Sequence, residues 1–228
     1  MNHSNRILVK LSGLILVLLF LTPNYSHSQV VNESAKKRFS IAIGMFTDIW
    51  FNVPTGIKTR TINQGANVFA TYNMPFGKSN FGFSVGLGLR VQNLYGNFQI
   101  EGKNDSLKFV RINDTINYQR SKVVMPYIEL PIEFRFKTKY KLAIGIGFKV
   151  AYMLPAHTKW VGDDYIYKTS DKLRVNFRDV KYLEKLSYGP TLRIGYKWFH
   201  VNAYYSLSKI FKGYNTTPLS IGFLLMPF

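Results

Sequence analysis

Ile128, Leu130, Ile132, Phe134 and Phe136 alternate with Glu129, Pro131, Glu133, Arg135 and Lys137. Successive side chains of a strand leave on opposite faces, so this segment has one wholly apolar face and one face that carries four charges. Leu142, Ile144, Ile146, Phe148 and Val150 repeat the pattern against Ala143, Gly145, Gly147, Lys149 and Ala151. Phe81, Phe83, Val85, Leu87, Leu89 and Val91 repeat it against Gly82, Ser84, Gly86, Gly88, Arg90 and Gln92. Long strands with an oily face and a mixed small-and-charged face suit a sheet closed on itself, with lipid outside and a polar lumen inside.

The alternation predicts eight strands, over residues 39–51, 65–74, 81–95, 122–137, 140–153, 183–197, 198–209 and 217–228. Many exceed the five or six residues usual in soluble domains and meet the roughly 9–11 that a tilted membrane strand needs. The connections alternate in length. Residues 75–80, 138–139 and the 197/198 junction are tight, whereas 52–64, 96–121, 154–182 and 210–216 are longer. An even strand number puts the tight turns on one side and the long loops on the other. The expected fold is all-β: an eight-stranded antiparallel transmembrane β-barrel with short periplasmic turns and long extracellular loops. Phe76, Phe81, Tyr140, Trp198 and Phe228 are expected near the periplasmic rim, and Trp50, Tyr95, Tyr127 and Tyr152 near the outer one.

The N-terminus adds an export signal. Arg6 and Lys10 precede an apolar run from Leu11 to Leu21, and Ser26-His27-Ser28 supplies small residues for cleavage before Gln29. The domain reading is a signal peptide over 1–28 and an outer-membrane β-barrel domain over 29–228, in an integral protein of a Gram-negative outer membrane. The chain has no cysteine, which excludes disulfides, thiolate chemistry and a lipid-acylated cysteine. Its formal charge is +18, or +16 once Arg6 and Lys10 leave with the signal. For an exported protein the matching anions are lipid head groups and surface phosphates, and nucleic acid is not an expected partner.

Eight strands enclose a space that side chains fill. The inward row is expected to include Arg90, Glu129, Glu133, Arg135, Lys137, Lys149, Thr191, Arg193, His200, Asn202, Tyr204 and Ser206. Buried charges must be paired, so Glu129 and Glu133 are expected to anchor a lumen network with Arg90, Arg135, Lys149 and Arg193. The echoes GLGLR (86–90), GIGFK (145–149) and RIG (193–195) leave room beside long charged neighbours, and none has the strand-to-helix context of a phosphate cradle. A catalytic carboxylate pair is the rival reading of Glu129 and Glu133. Four residues of strand separate them by about 13 Å, whereas glycosidases use roughly 5–9.5 Å. No catalytic residue, cofactor or metal is expected. His157 and His200 lack a partner at ligand spacing, and Asp163-Asp164 reads as a solvated loop.

The two largest loops are rich in aromatic and basic residues. Arg111, Trp160, Tyr165, Arg174 and Arg178 are the candidate contact residues, with Phe109, Tyr118, Arg120, Tyr167 and Lys172 nearby. LKFVRI (107–112) and LRVNF (173–177) are strand-like pieces that would continue the barrel above the membrane as hairpins.

PYIELPIEFRFKTK (126–139), KLAIGIGFKVAYML (141–154) and YGPTLRIGYKW (188–198) together resemble the PorT-like small outer-membrane barrel family. Tyr127, Glu129, Pro131 and Glu133 match its Y-x-E-x-P-x-E strand, and terminal Phe228 resembles the aromatic signal read by the barrel-insertion machinery. Pro227 departs by interrupting the last strand, out of phase with Leu219, Ile221, Phe223 and Leu225. The resemblance implies a non-enzymatic barrel with a structural or secretion-accessory role, made through rim and loop contacts. Expected partners are outer-membrane lipids and lipopolysaccharide, the insertion machinery, and secretion-system or other envelope proteins. A narrow solute pore, a lipid-modifying enzyme and a soluble barrel with its apolar face inward are the alternatives. They are separable by bilayer recording, lipid A turnover and extraction without detergent.

Overall fold

A computed structural model of the chain describes residues 38–103, 106–164, 172–178 and 180–226. The expected signal peptide over 1–28, Tyr165, Tyr167, Pro227 and the insertion signal Phe228 lie outside the described residues. Among the described residues there are twelve strands: β1 (Phe39–Phe51), β2 (Gln64–Pro75), β3 (Phe81–Tyr95), β4 (Phe98–Lys103), β5 (Ser106–Arg111), β6 (Tyr118–Lys137), β7 (Leu142–Met153), β8 (His157–Asp163), β9 (Lys172–Arg178), β10 (Leu186–Tyr196), β11 (Phe199–Tyr205) and β12 (Thr217–Leu225).

Eight of them form the barrel in the order β3-β2-β1-β12-β11-β10-β7-β6, and antiparallel pairing of β3 with β6 closes the ring. The tight turns contain left-handed residues, Gly77 between β2 and β3, Lys141 between β6 and β7, and Lys197 between β10 and β11. That backbone conformation reverses an antiparallel pair within a few residues.

The apolar row faces outward. Phe134 is 62% and Ile146 63% exposed to the barrel's surroundings, and Leu87, Leu89, Val201 and Phe223 stand on the same outer surface. Their even-numbered or odd-numbered neighbours, Ser84, Arg90, Glu129, Glu133 and Lys149, are buried inside. Burial of the charged stripe and display of the oily one is the inverse of a water-soluble barrel, and it fits hydrocarbon as the outer medium. A soluble barrel with its apolar face inward is thereby ruled out.

The aromatic belts differ in part from expectation. Phe76, Phe81, Tyr140 and Trp198 are exposed at the turn end. At the other end Tyr152 is exposed, but Trp50 and Tyr127 are buried inside. Both sit on inward positions of their strands, and Phe51 and Tyr205 take the outer places, with rings 6.4 Å apart. Lys137 also departs from the inward set, lying exposed at the turn end of β6.

Four strands build above the barrel. β4 and β5 pair as a separate hairpin, and β8 and β9 extend the sheet from the upper part of β6. LKFVRI and LRVNF supply β5 and β9, and β4 and β8 are their pairing partners. β6 is therefore one strand of 20 residues that leaves the barrel and continues as the inner strand of a three-stranded fin.

Candidate functional site: a filled lumen beneath an extracellular rim

The lumen chemistry is arranged in layers set by the register. Nearest the turns, Glu133 lies opposite Gly147 and Ser84. Its carboxylate accepts from Arg193 and from Arg135 Nε at 3.2 Å. Arg135 also reaches Asn73, and Arg193 Nη1 lies 3.0 Å from Met226 Sδ. The inward glycines make this layer possible. A Cβ on Gly145 would crowd Glu133 Oε2 at 3.3 Å, and one on Gly147 would collide with the Ile132 carbonyl and Glu133 itself. His200 occupies the space that Gly195 leaves open.

One layer higher, Glu129 Oε2 meets Lys149 Nζ at 3.0 Å and Arg90 Nε at 3.4 Å, while Asn67 donates to Oε1 at 3.5 Å. The Arg90 guanidinium lies between two tyrosine rings, 4.3 Å from the centroid of Tyr127 and 5.1 Å from that of Tyr204. Lys149 Nζ is 4.0 Å from the Tyr204 ring as well. Delocalised cations bind ring faces well in dry surroundings, so the two tyrosines supplement the single carboxylate. Tyr204 is held in turn by Ser187 at 2.8 Å. Thr191 and Asn202 are half-buried on the inner side, and Ser206 is fully buried.

The structure thus brings Arg90, Lys149 and Glu129 into one cluster, and Arg135, Arg193 and Glu133 into a second. A third carboxylate, Asp48, was not legible as a lumen group. It is fully buried and accepts from the Ser220 hydroxyl at 2.5 Å. Its inward row on β1 (Ala42, Gly44, Phe46, Asp48, Trp50) is mostly apolar, and the one available signal was an acid at an even position among them.

Above the ionic layers the lumen is shut by a hydrocarbon plug. Trp50, Leu94, Met125, Tyr127 and Met153 from the barrel pack with Phe98, Leu107 and Phe109 of the β4–β5 hairpin and with Ile210 and Phe211 before β12. Phe109 is the hub. Its ring lies 5.0 Å from Phe98, 4.9 Å from Phe211 and 5.1 Å from Tyr214, all edge-on, the favoured aromatic geometry.

The loop candidates separate. Arg111 is exposed and held by Asp114 at 2.7 Å. Arg174 and Arg178 are exposed on β9. Trp160, expected as a surface contact, is buried on the inner face of the fin, stacked on Tyr118 at 5.4 Å, with its Nε1 donating to the Asp163 carbonyl at 3.3 Å. Asp163 Oδ2 accepts the Asn117 N–H at 2.9 Å, which explains that acid as a loop clasp. No cluster of three or more metal-ligating side chains occurs among the described residues. His157, at the base of β8, is held below its ordinary value by partial burial and then by the charges of Lys122, Arg178 and Lys159.

The family model for the outer membrane protein beta-barrel domain matches residues 15–212 of the chain. No curated protein matches the sequence. Among solved structures, the attachment invasion locus protein Ail of Yersinia pestis, in complex with the heparin analogue sucrose octasulfate, is similar at 15% identity and TM-score 0.38, over 82% of this chain and 97% of that one. Ail in a phospholipid bilayer nanodisc is similar at 14% identity and TM-score 0.35, over 82% and 98%. A mutant porin of Rh. blastica is similar at 9% identity and TM-score 0.21, over 82% and 99%. With the family model spanning most of its length and its oily stripe turned outward, the chain belongs to the outer membrane protein beta-barrel domain family and is an integral protein of the Gram-negative outer membrane.

Proposed function

We propose that this protein acts as a closed, non-enzymatic barrel whose work is done by contacts at its outer rim and extracellular strands, in a structural or secretion-accessory role of the PorT-like kind. The observation that supports this reading is how the interior is spent. Among the described residues, two ionic layers and an aromatic plug are stacked along the lumen from the turn end toward the loop end, an arrangement that opposes passage of a solute. In this reading the Arg90, Glu129, Glu133, Arg135, Lys149 and Arg193 network serves as an internal brace, since paired and desolvated charges define one register of the ring. The N-terminal signal peptide and Phe228 serve export and insertion.

Partners in this reading are outer-membrane lipids and lipopolysaccharide, the insertion machinery, and secretion-system or other envelope proteins met by the fin and the β4–β5 hairpin. Arg174 and Arg178 are exposed on the outermost strand and are the residues placed to meet them. The test is a photo-crosslinking residue installed at Arg174 or Arg178 in native membranes, followed by gentle extraction. Specific adducts with another envelope protein are expected. Uniformly monomeric material, with neither adducts nor co-purifying proteins, would overturn the role.

A further inference from the structure

The fin's outer face is a continuation of the barrel's lipid-facing row, and its chemistry changes abruptly. Going up β6, the outward positions are Phe134, Ile132, Leu130, Ile128, Pro126 and Val124, and then Lys122 and Arg120. Cross-strand pairing carries the same face onto the neighbouring strands. Lys122 lies opposite Lys159, Val124 opposite His157, and Arg120 opposite Val161. His157 in turn lies opposite Arg178, and Val161 opposite Arg174. Directly opposed like charges destabilise a sheet. Lys122 against Lys159 is such a pair, and among the described residues the carboxylate on this face, Asp163, lies opposite Lys172 and is already engaged with the Asn117 backbone. Among the described residues the face thus carries an excess of cation directly above the end of the oily stripe.

Beside it, at the same height, is a cleft of about 420 Å³ lined by Arg60, Thr61, Ile62, Gln64, Tyr95 and Arg120. Arg60 and Lys122 both lie against the Tyr95 ring, at 5.1 Å and 5.0 Å from its centroid. Lys122 Nζ is further placed by Asn93 Oδ1 at 2.8 Å, and Arg60 by the Gln119 carbonyl at 3.1 Å. Among the described residues no carboxylate pairs with Arg60, Arg120 or Lys122. Ile62, in the same wall, is 62% exposed. A cationic cleft with an apolar lip, opening where the oily stripe ends, matches an amphiphile whose anionic head sits just outside the membrane.

We infer that the Arg60–Tyr95–Arg120–Lys122 cleft and the adjoining basic face of β6, β8 and β9 form a docking surface for the phosphate groups of a phosphorylated glycolipid of the outer leaflet. The acyl chains lie along the outward row of β3 and β6, and the head-group phosphates are held by the guanidinium and ammonium groups above. This deepens the proposed rim function and rests on it. It also gives the like-charge opposition on the fin a physical cause, because the bound phosphates supply the missing counter-charge.

The test uses the full-length barrel in neutral detergent, with bisphosphorylated lipid A and its dephosphorylated form as probes. Binding is expected for the first and at least tenfold weaker for the second. At roughly 1 kcal/mol for each basic residue near the surface, R60Q/R120Q/K122Q weakens lipid A binding on the order of a hundredfold, with R120Q alone about fivefold. R111Q, which removes an equal charge from a position paired with Asp114, leaves it within about twofold. Arg60, Arg111 and Arg120 are exposed and Lys122 is half-buried, and an unchanged unfolding midpoint verifies the fold of each variant. Equal binding of the dephosphorylated lipid, or equal loss in R111Q and the triple variant, overturns the inference. So does full displacement by a soluble sulfated polysaccharide, since that marks an unspecific polyanion surface. Failure of the parent barrel to bind bisphosphorylated lipid A while its envelope adducts form counts against this surface alone, whereas absence of adducts with lipid A binding intact counts against the proposed role alone.

Discussion

Glu129→Gln is the substitution on which the account of the lumen is most exposed. The side chain is 1% exposed and forms ion pairs with two cations, Arg90 at 1% and Lys149 at 7%. Removing the charge leaves both buried without their carboxylate, and stranding one member of a buried pair costs about 3–5 kcal/mol. Glu133→Gln should cost less, although Glu133 also holds two arginines. Arg135 is 20% exposed and sits near the turn end, where it can extend toward water, so Arg193 is the only cation fully stranded. About 2–3 kcal/mol follows for that variant. The assay is urea unfolding of the barrel in phospholipid vesicles, read by tryptophan fluorescence from Trp50, Trp160 and Trp198. Replacing the whole cluster at once, as R90M/E129L/K149M, should restore stability to within about 1 kcal/mol of the starting protein, because a well-packed apolar set removes the desolvation cost together with the attraction. If Glu129→Gln unfolds like the parent, or if Glu133→Gln proves the more costly, water solvates the lumen freely and the bracing argument fails.

Two further outcomes follow from the same interior. Excising residues 98–111 and bridging the gap with a short flexible linker removes the hairpin's share of the plug (Phe98, Leu107 and Phe109) but leaves the barrel's own share and the Arg90, Tyr127 and Tyr204 layer, so both the parent and this variant are expected to pass no steady current in planar bilayers; discrete channels from either would contradict the packing described. Gly147→Ala drives a methyl group into the Ile132 carbonyl and Glu133, and an overpacking cost of about 1–3 kcal/mol is expected in the same vesicle titration, with Gly56→Ala, at an open loop position, differing mainly through its left-handed backbone and leaving the lumen untouched.

The eight barrel strands are readable in the sequence because lipid and lumen impose opposite chemistry on successive residues, and β6 shows this most cleanly between Ile128 and Lys137. Above the barrel, where neither face meets lipid, that signal is lost. β8 carries His157, Lys159 and Asp163 on one face and Thr158, Trp160 and Gly162 on the other, a mixture with no period of its own. β4 is hidden for the same reason, and β6 starts at Tyr118, four residues before the expected start at residue 122. The lumen was legible as a composition of charges. Which cation meets which carboxylate was not, since it depends on stagger between strands far apart in the chain, as with Arg193 of β10 reaching Glu133 of β6 across β7. Trp160 misled because an aromatic in a loop of mixed polarity carries no mark of which side of a ribbon it occupies.

The seam between β1 and β12 has a consequence for biogenesis. It joins Ile43 to Leu225 and Phe51 to Thr217, residues from opposite ends of the described chain. The other neighbours in the cylinder are linked by hairpins or by single excursions, so this stitch has the highest loop-closure cost and is favoured to form last. Until it forms, the nascent polypeptide is an open ribbon with two bare edges and an oily surface, a species prone to aggregate in an aqueous compartment. Safe passage to the bilayer therefore demands an escort that masks those edges until the final staves come together.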